Sequence, residues 1–213
     1  DGIAYYSSAL YREIEKYARV TVVANRTAYL GNHNNTSNSS IEVKPSWKRG
    51  KPLVYCQIFR AVVRNKDDVV HVQHGWLLYG NAFVSSMFPL LLLMLRLSRK
   101  VVMTTVHSVI RREAVSESFL RNPIMEALSP WTVLIITKLI GLISHKIIVH
   151  NSLMKQLLVT DYRVDRDKIV VIPHGVDKAG TAETTQPISG RIMFLGHLRP
   201  SKGLEYLLQA FRL

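Results

Sequence analysis

Short runs rich in Val, Ile and Thr alternate with longer helix-like stretches along this chain, and this alternation constrains its fold more than any other feature. Several of the short runs are apolar almost throughout, as are strands that are buried on both faces of a sheet. Strands that alternate with helices favour an α/β fold with a doubly wound, Rossmann-like parallel sheet. The predicted strands are residues 20–24, 69–73, 101–106, 146–150, 169–173 and 191–195.

Helical patterns fill the intervals between these strands. The longest uninterrupted apolar run, residues 87–95, is about half as long as a membrane-spanning helix requires. Residues 128–148 are also apolar, but Lys138, His145 and Lys146 interrupt them. A buried or interfacial helix is therefore expected there rather than a span. The predicted helices are residues 3–17, 53–64, 80–97, 116–144, 152–160 and 202–213.

Two polar stretches, residues 31–40 and 177–190, lack apolar periodicity and are predicted to be loops. The second follows one predicted strand and precedes a new strand–turn–helix unit, which makes it the better linker. We therefore predict a first domain at residues 1–176, a linker at 177–190 and the start of a second domain at 191–213. The chain begins with Asp1 and ends at Leu213 inside a predicted helix, which favours a truncated form of a longer protein.

The composition indicates a basic protein with a sizeable core. Of the 213 residues, 47% are hydrophobic and 20% are charged, which is globular rather than disordered. Lys and Arg number 28 against 15 Asp and Glu, and the net charge of +13 favours an anionic partner: a nucleotide phosphate, nucleic acid or an acidic membrane. A single cysteine, Cys56, excludes a disulfide framework and a cysteine-rich zinc site.

Much of the positive charge lies in residues 43–66 and 96–112, which contain no acidic residue. These segments form either a solvated basic face or a binding face, and the pattern is compatible with both. The sequence has no helix-turn-helix, zinc-finger or RNP-like pattern, so nucleic acid is not the expected partner. An anionic membrane fits better, because basic residues flank apolar stretches. These residues are Arg96, Arg99, Lys100, Arg111 and Arg112.

Histidine, glycine and basic residues follow four of the predicted strands, and ligands of open parallel sheets bind at the carboxyl ends of strands. His107 follows a very apolar strand and precedes Ser108, so it is the strongest candidate for binding a hydroxyl group or stabilising charge. His74, two residues before Trp76, is the next candidate. A lone histidine at a strand end is nevertheless more often structural than catalytic. The histidines predicted to pack in the core are His71, His145 and His150.

The turn after residues 191–195 carries the most specific pattern. Gly196 allows a sharp turn, and Arg199 and Lys202 lie three residues apart. With Ser201 as the cap of a helix that begins at Lys202, this turn suits a pyrophosphate. Two solvated basic residues in a surface loop explain the pattern equally well. Gly2, at the start of the first helix, is a weaker candidate for close ligand approach.

Several other classes of site lack their signatures in this sequence. There is no Gly-x-x-x-x-Gly-Lys-Ser/Thr loop, which argues against a P-loop enzyme. There is no Gly-x-Ser-x-Gly elbow, which argues against an α/β-hydrolase. No His-x-x-x-His pair and no cluster of cysteines or carboxylates is present, so no metal site is predicted.

Five segments of the chain together resemble a known family. They read VVHVQHGW, VVMTTVHS, HKIIVHNSLMKQLL, DKIVVIPHGVD and RIMFLGHLRPSKGLEYLLQAF. Each segment is weak alone, but all five in this order and at these separations are specific. They resemble the family-4 glycosyltransferases, which have the GT-B fold, and the resemblance runs from about Gly2 to Leu213.

The resemblance implies an enzyme of two Rossmann-like domains that face a cleft. The first domain of such enzymes binds the acceptor, and the second binds the nucleotide-sugar donor. They transfer the sugar with retention of anomeric configuration, usually without a metal, so no cofactor is expected beyond the donor substrate. We expect the acceptor to be a glycan or a lipid-linked molecule, because basic residues flank apolar segments of the first, acceptor-binding domain.

The resemblance also assigns roles to single residues. Arg199 and Lys202 match the basic pair that holds the donor diphosphate, and Gly2 matches the end of a glycine-rich loop that approaches the donor. His107 matches the histidine near the transferred sugar, and residues 174–177 match the end of the first domain. We therefore expect donor binding by Gly2, Gly196, Arg199, Lys202 and Gly203, acceptor binding by His74 and Trp76, and catalysis by His107.

Part of the family's pattern has no counterpart in this sequence. The first strand is absent, and so is most of the second domain with its acidic motif. We therefore expect the full-length protein to be an enzyme and this chain alone to be inactive or nearly so. The expected location is cytoplasmic and peripheral at the membrane, since a lone cysteine suits a reducing compartment. The alternative function is a non-catalytic module that binds anionic lipid or nucleic acid through its basic face.

Overall fold

The computed structural model describes residues 2–29, 41–51, 53–65, 67–111, 130–176, 188–196, 198 and 202–211. The chain divides into two compact units, Asp1–Gly175 and Val176–Leu213. The predicted loop at residues 31–40 lies outside the described residues, as do residues 177–187 of the predicted linker. None of the described helices is both long enough and apolar enough to cross a bilayer.

The first unit is an α/β structure built on parallel strands, which confirms the predicted fold class. Four strands form one parallel sheet in chain order, β3–β4–β5–β6, and β1 pairs in parallel with β2 in a separate sheet. The strands are β1 (Thr21–Asn25), β2 (Glu42–Trp47), β3 (Val69–His74), β4 (Val101–Val106), β5 (Lys146–Val149) and β6 (Ile169–Val171).

Strand β2 is absent from the sequence-based prediction because its sequence resembles a loop. Glu42 and Lys44 interrupt its apolar character, and Pro45 lacks the N–H that a central strand would donate. β2 is nevertheless held by its pairing with β1 and by Trp47, whose Nε1 donates to the carbonyl of Val23 at 3.1 Å.

The strand predicted at residues 191–195 is wrong. Residues 191–195 do not form a strand, and Ile192, Met193 and Leu195 expose 56%, 83% and 90% of their surface. An apolar run forms a strand only when neighbouring backbone accepts its hydrogen bonds, and the described part of the second unit supplies no such strand.

The described helices largely follow the predicted positions, with one break. The predicted helix at residues 80–97 is two helices that meet at Met87, because Pro89 lies in the first turn of the second one and lacks a backbone N–H. Residues 116–129 of another predicted helix lie outside the described part of the chain. The helices of the first unit are α1 (Gly2–Ile14), α2 (Arg26–Tyr29), α3 (Val54–Arg64), α4 (Ala82–Ser86), α5 (Phe88–Leu97), α6 (Pro130–Ile143) and α7 (Ser152–Thr160).

The two faces of the β3–β4 pair are covered differently. On one face, α5 packs against β4, α3 and α6, and the side chains of Leu91, Leu92 and Leu95 are fully buried. The opposite face carries polar side chains from alternate strand positions, and α1 lies over it, since Tyr11 on α1 contacts His71 on β3. The polar side chains of this face therefore continue toward the carboxyl ends of β3 and β4.

The second unit contains one described helix, α8 (Leu204–Ala210). The prediction that this helix begins at Lys202 is wrong by two residues. Gly203 occupies the N-cap in the left-handed region, at a φ of 67°, and no side chain caps the helix there. A residue with a Cβ would be strained in that conformation, which explains the glycine. Ser201, predicted as the cap, lies outside the described residues.

Candidate functional site

Three histidines meet at the carboxyl edge of the four-stranded sheet. His107 directly follows β4, His150 directly follows β5, and His174 lies three residues beyond β6. The parallel register pairs Thr105 with Ile148, and two residues further along it brings His107 beside His150. One ring nitrogen of each of His107, His150 and His174 lies within 4.8 Å of the others, and these residues are called the histidine cluster below.

Hydrogen bonds fix the two inner rings of the cluster. His107 Nε2 lies 2.8 Å from Oε1 of Gln73, and His107 Nδ1 lies 3.3 Å from His150 Nε2. His150 Nδ1 lies 3.1 Å from the carbonyl oxygen of Ile172, to which it must donate. His174 stacks on His150 with the ring centroids 3.7 Å apart, and its side chain is exposed.

Helix α1 brings an aromatic side chain against the cluster. The ring of Tyr6 lies edge-on to all three imidazoles, with centroid separations of 5.0 to 5.2 Å. The first turn of α1 approaches the loop after β3 closely, because a Cβ on Gly75 would lie 2.8 Å from Cδ1 of Ile3. The first turn of α1 therefore lies against this edge of the sheet.

A polar network beneath the cluster orients Gln73. Tyr11 Oη lies 3.4 Å from His71 Nδ1, and the Gln73 amide nitrogen donates to Tyr11 Oη at 3.1 Å. His71 Nε2 lies 2.7 Å from the Thr105 hydroxyl. With its amide nitrogen on Tyr11, Gln73 presents its oxygen to His107, which therefore carries its proton on Nε2.

Burial favours the uncharged forms of His107 and His150. Desolvation, followed by repulsion from His150 and His174, lowers the pKa of His107 to about 4. Desolvation likewise lowers the pKa of His150, with a further contribution from His174. His107 remains half-exposed, so a neutral imidazole that accepts hydrogen bonds is available to a ligand there.

His74 and Trp76 occupy a different environment. The His74 side chain is 2% exposed, and its ring packs 4.6 Å from the ring of Phe88 and 5.4 Å from that of Trp76. Burial lowers the pKa of His74 to about 4. His74 is therefore a packed aromatic side chain in this conformation, and acceptor binding by these two residues stays a prediction.

The predicted donor-binding residues are divided between the two units, with Gly2 in the first and the others in the second. Gly2 begins α1, and a Cβ there would meet no atom within 4 Å, so the space beside it is open. Lys202 is exposed and Gly203 precedes α8, while Arg199 lies outside the described residues. Donor binding by these residues and by Gly196 therefore stays a prediction.

Sequence reasoning assigned His71, His145 and His150 to packing in the core, and it assigned no role to Tyr6 or Gln73. His71 is partly buried and contacts Tyr11 and Thr105. His150 is buried, as predicted, but it also contacts His107. Its position directly after an apolar strand, which His107 shares, is the signal that could have identified it. The prediction that His145 packs in the core is wrong, because its side chain is exposed. It lies just before β5, where its Nδ1 accepts a hydrogen bond from the Val102 N–H at 3.0 Å.

Comparison with known proteins identifies the family. The family model described as Glycosyltransferase Family 4 matches residues 1–179, which include the whole histidine cluster. No curated protein matches the chain. Because the family match covers well over half of the 213 residues, the chain belongs to glycosyltransferase family 4.

Proposed function

We propose that the protein transfers a sugar from a nucleotide-sugar donor to a glycan or lipid-linked acceptor with retention of anomeric configuration. The family match supports glycosyl transfer, and the observation that carries the proposal is the histidine cluster at the carboxyl edge of a parallel sheet. In the reaction, the bond between the anomeric carbon and the diphosphate breaks, and its electron pair leaves on the diphosphate oxygen. The acceptor oxygen bonds to the same carbon, and its proton passes to the departing diphosphate oxygen.

His107 is the proposed catalytic residue. It is half-exposed and uncharged, and Gln73 holds the proton on Nε2, so His107 can bind a sugar hydroxyl without introducing a charge. Positioned hydrogen bonds of this kind act by binding the transition state more tightly than the substrate. Transfer by this proposal uses no metal cofactor.

Arg199 and Lys202 are proposed to offset the negative charge that builds on the leaving diphosphate, with Gly2, Gly196 and Gly203 allowing close approach of the donor. Arg199→Ala in the intact protein is expected to lower turnover at least about tenfold, because a fixed cation stabilises the leaving group. Release of nucleoside diphosphate from a panel of nucleotide sugars is the measurement. Arg191→Ala, an exposed arginine of the same unit, is the matched control.

Unchanged kinetics in Arg199→Ala would remove Arg199 from the site. A panel in which no nucleotide sugar is consumed, together with steeply salt-dependent lipid binding, would favour the non-catalytic basic module instead.

The acceptor is proposed to lie at an anionic membrane, on the cytoplasmic side. Helices α5 and α6 pack on each other, and each exposes large apolar side chains at helical spacing. An exposed apolar surface flanked by cations is typical of attachment to an anionic interface. Arg96 and Lys100 flank this surface and donate hydrogen bonds to backbone carbonyls. The exposed side chains are Leu90, Leu93 and Leu97 on α5 and Trp131, Ile135, Leu139 and Leu142 on α6.

The protein is expected to float with anionic vesicles at low salt and less completely at moderate salt. Each cation near an anionic surface contributes about 1 kcal/mol, so a few suffice for reversible attachment. A double variant, Leu97→Gln with Leu142→Gln, should float less, and it should fold because both side chains are mostly exposed. Absence of flotation even at low salt would exclude the membrane and favour a soluble acceptor.

A further inference from the structure

We propose that Tyr6 of α1 is a positioning residue that holds the ring of His107 in the orientation required for sugar transfer. This inference rests on the proposed catalytic role of His107, and it adds a second element, α1, to the site. Tyr6 acts through the histidine cluster and not on the substrates. The spacing of residues along the chain could not identify Tyr6, because it reaches His107 only through the packing of α1 over the sheet.

His107 has a fixed main chain and a side chain that can rotate. Its N–H donates to the carbonyl of His74 at 3.0 Å, which continues the pairing of β4 with β3. The side chains of Gln73 and His150 approach its two ring nitrogens, but these partners have rotatable side chains of their own. The orientation of the imidazole therefore needs a further contact that is fixed independently of them.

The ring of Tyr6 provides this contact. Its centroid lies 5.0 Å from that of His107 and 5.2 Å from those of His150 and His174, and its plane is inclined by 73° to 87° to the three imidazoles. Near-perpendicular contact at this separation is a favoured geometry for pairs of aromatic rings. One side chain therefore restrains all three rings of the cluster.

Tyr6 is itself held from two sides. Its backbone lies near the start of α1, whose first turn packs against the loop after β3. Its hydroxyl hydrogen-bonds the side chain of Thr105, a fully buried residue of β4. The Tyr6 ring therefore has a defined position between α1 and β4, whichever way the histidines rotate.

His174 depends on the Tyr6 ring for its place in the cluster. The side chain of His174 is exposed, and within the described part of the chain its ring stacks or packs only against Tyr6, His150 and His107. Removal of the Tyr6 ring would leave His174 free to turn away and would open one side of His107 to water. The His107 imidazole would then occupy several orientations, of which few place it against a bound sugar.

Three single variants of the intact protein separate the ring of Tyr6 from its hydroxyl. Tyr6→Phe keeps the ring and should retain a turnover close to that of the wild type. Tyr6→Leu removes the ring, and kcat should fall at least about tenfold with little change in KM, because a misplaced group lowers the rate more than it weakens substrate binding. Tyr5→Leu changes a 65% exposed tyrosine of the same helix, and as the matched control it should keep wild-type kinetics.

An imidazole NMR spectrum recorded without donor or acceptor provides a second readout. In Tyr6→Leu the ring resonances of His107 and His174 should broaden or split, as expected for rings that sample several orientations, while those of His145 stay as in the wild type. Tyr6→Phe should preserve single, sharp resonances for all three histidines. The Tyr6 side chain is only partly buried, so both variants are expected to fold.

A folded Tyr6→Leu variant with wild-type kcat, or with sharp single resonances for His107 and His174, would overturn the proposal. A Tyr6→Phe variant as slow as Tyr6→Leu would also overturn it, since the hydroxyl and not the ring would then be required. If the wild type consumes no nucleotide sugar, the proposed function fails instead, and the spectra still decide whether Tyr6 orders the cluster.

Discussion

His107→Asn in the intact protein is expected to lower turnover by about a hundredfold, the usual loss when a positioned hydrogen-bonding group at the reacting centre is removed. The asparagine is too short to hold the imidazole's position between Gln73 and His150, whose Oε1 and Nε2 atoms lie 2.8 and 3.3 Å from the ring nitrogens of His107. Because the proposed contact strengthens in the transition state, kcat and kcat/KM should fall together, with little change in KM.

His145→Asn is the matched control for this experiment. His145 is an exposed histidine before β5, and an asparagine oxygen can accept the Val102 N–H in place of Nδ1. The control should retain wild-type turnover, and both variants should keep the thermal stability of the wild type to within a few degrees. Near wild-type turnover in a folded His107→Asn variant would show that His107 has no catalytic role.

Lowering the pH is expected to destabilise the first unit at pH values well above those at which its carboxylates titrate. Burial lowers the pKa values of His71 and His74 to about 4, against 6.5 for an ordinary histidine. Below pH 6.5 these two histidines therefore bind protons in the unfolded chain but stay unprotonated in the folded chain until the pH approaches 4. The free energy of unfolding should fall as the pH drops from 6.5 to 4, by roughly 3 kcal/mol for each histidine when the drop is complete.

Urea unfolding at several pH values between 7 and 5 measures this loss. His74→Phe should reduce the pH dependence, because a phenyl ring can pack against Phe88 and Trp76 without a proton to gain. His145→Asn should retain it. A free energy of unfolding that is constant over this range, or a pH dependence unaffected by His74→Phe, would show that burial of these rings does not control acid stability.

The sheet was predictable where strand sequences are buried and apolar. β4 begins and ends where the pattern predicts, because Val102, Thr104 and Val106 are buried between helices and neighbouring strands. β2 was missed because its pairing with β1 outweighs its polar sequence. The strand predicted at residues 191–195 was wrong for a related reason. No described strand pairs with that apolar run, so its backbone has no partner in a sheet. Propensity predicts a strand only where backbone pairing supports it.

The candidate site was predictable only in part, because its residues meet through strand register. His107 could be identified from its place after an apolar strand. Its contact with His150 depends on the pairing of Thr105 with Ile148, and the approach of Tyr6 depends on how α1 packs over the sheet. Neither contact can be recognised from the spacing of residues along the chain. The sequence therefore indicated single histidines where the structure shows a cluster.

The most direct test of the central claim is an imidazole NMR spectrum of the intact protein, recorded with and without a nucleotide sugar that it turns over. If transfer takes place at the carboxyl edge of the sheet, saturating donor should shift the ring resonances of His107 and His150, which are 3.3 Å apart, and leave those of His145 in place. A donor that is consumed and yet saturates the protein without moving the His107 resonances would contradict the account.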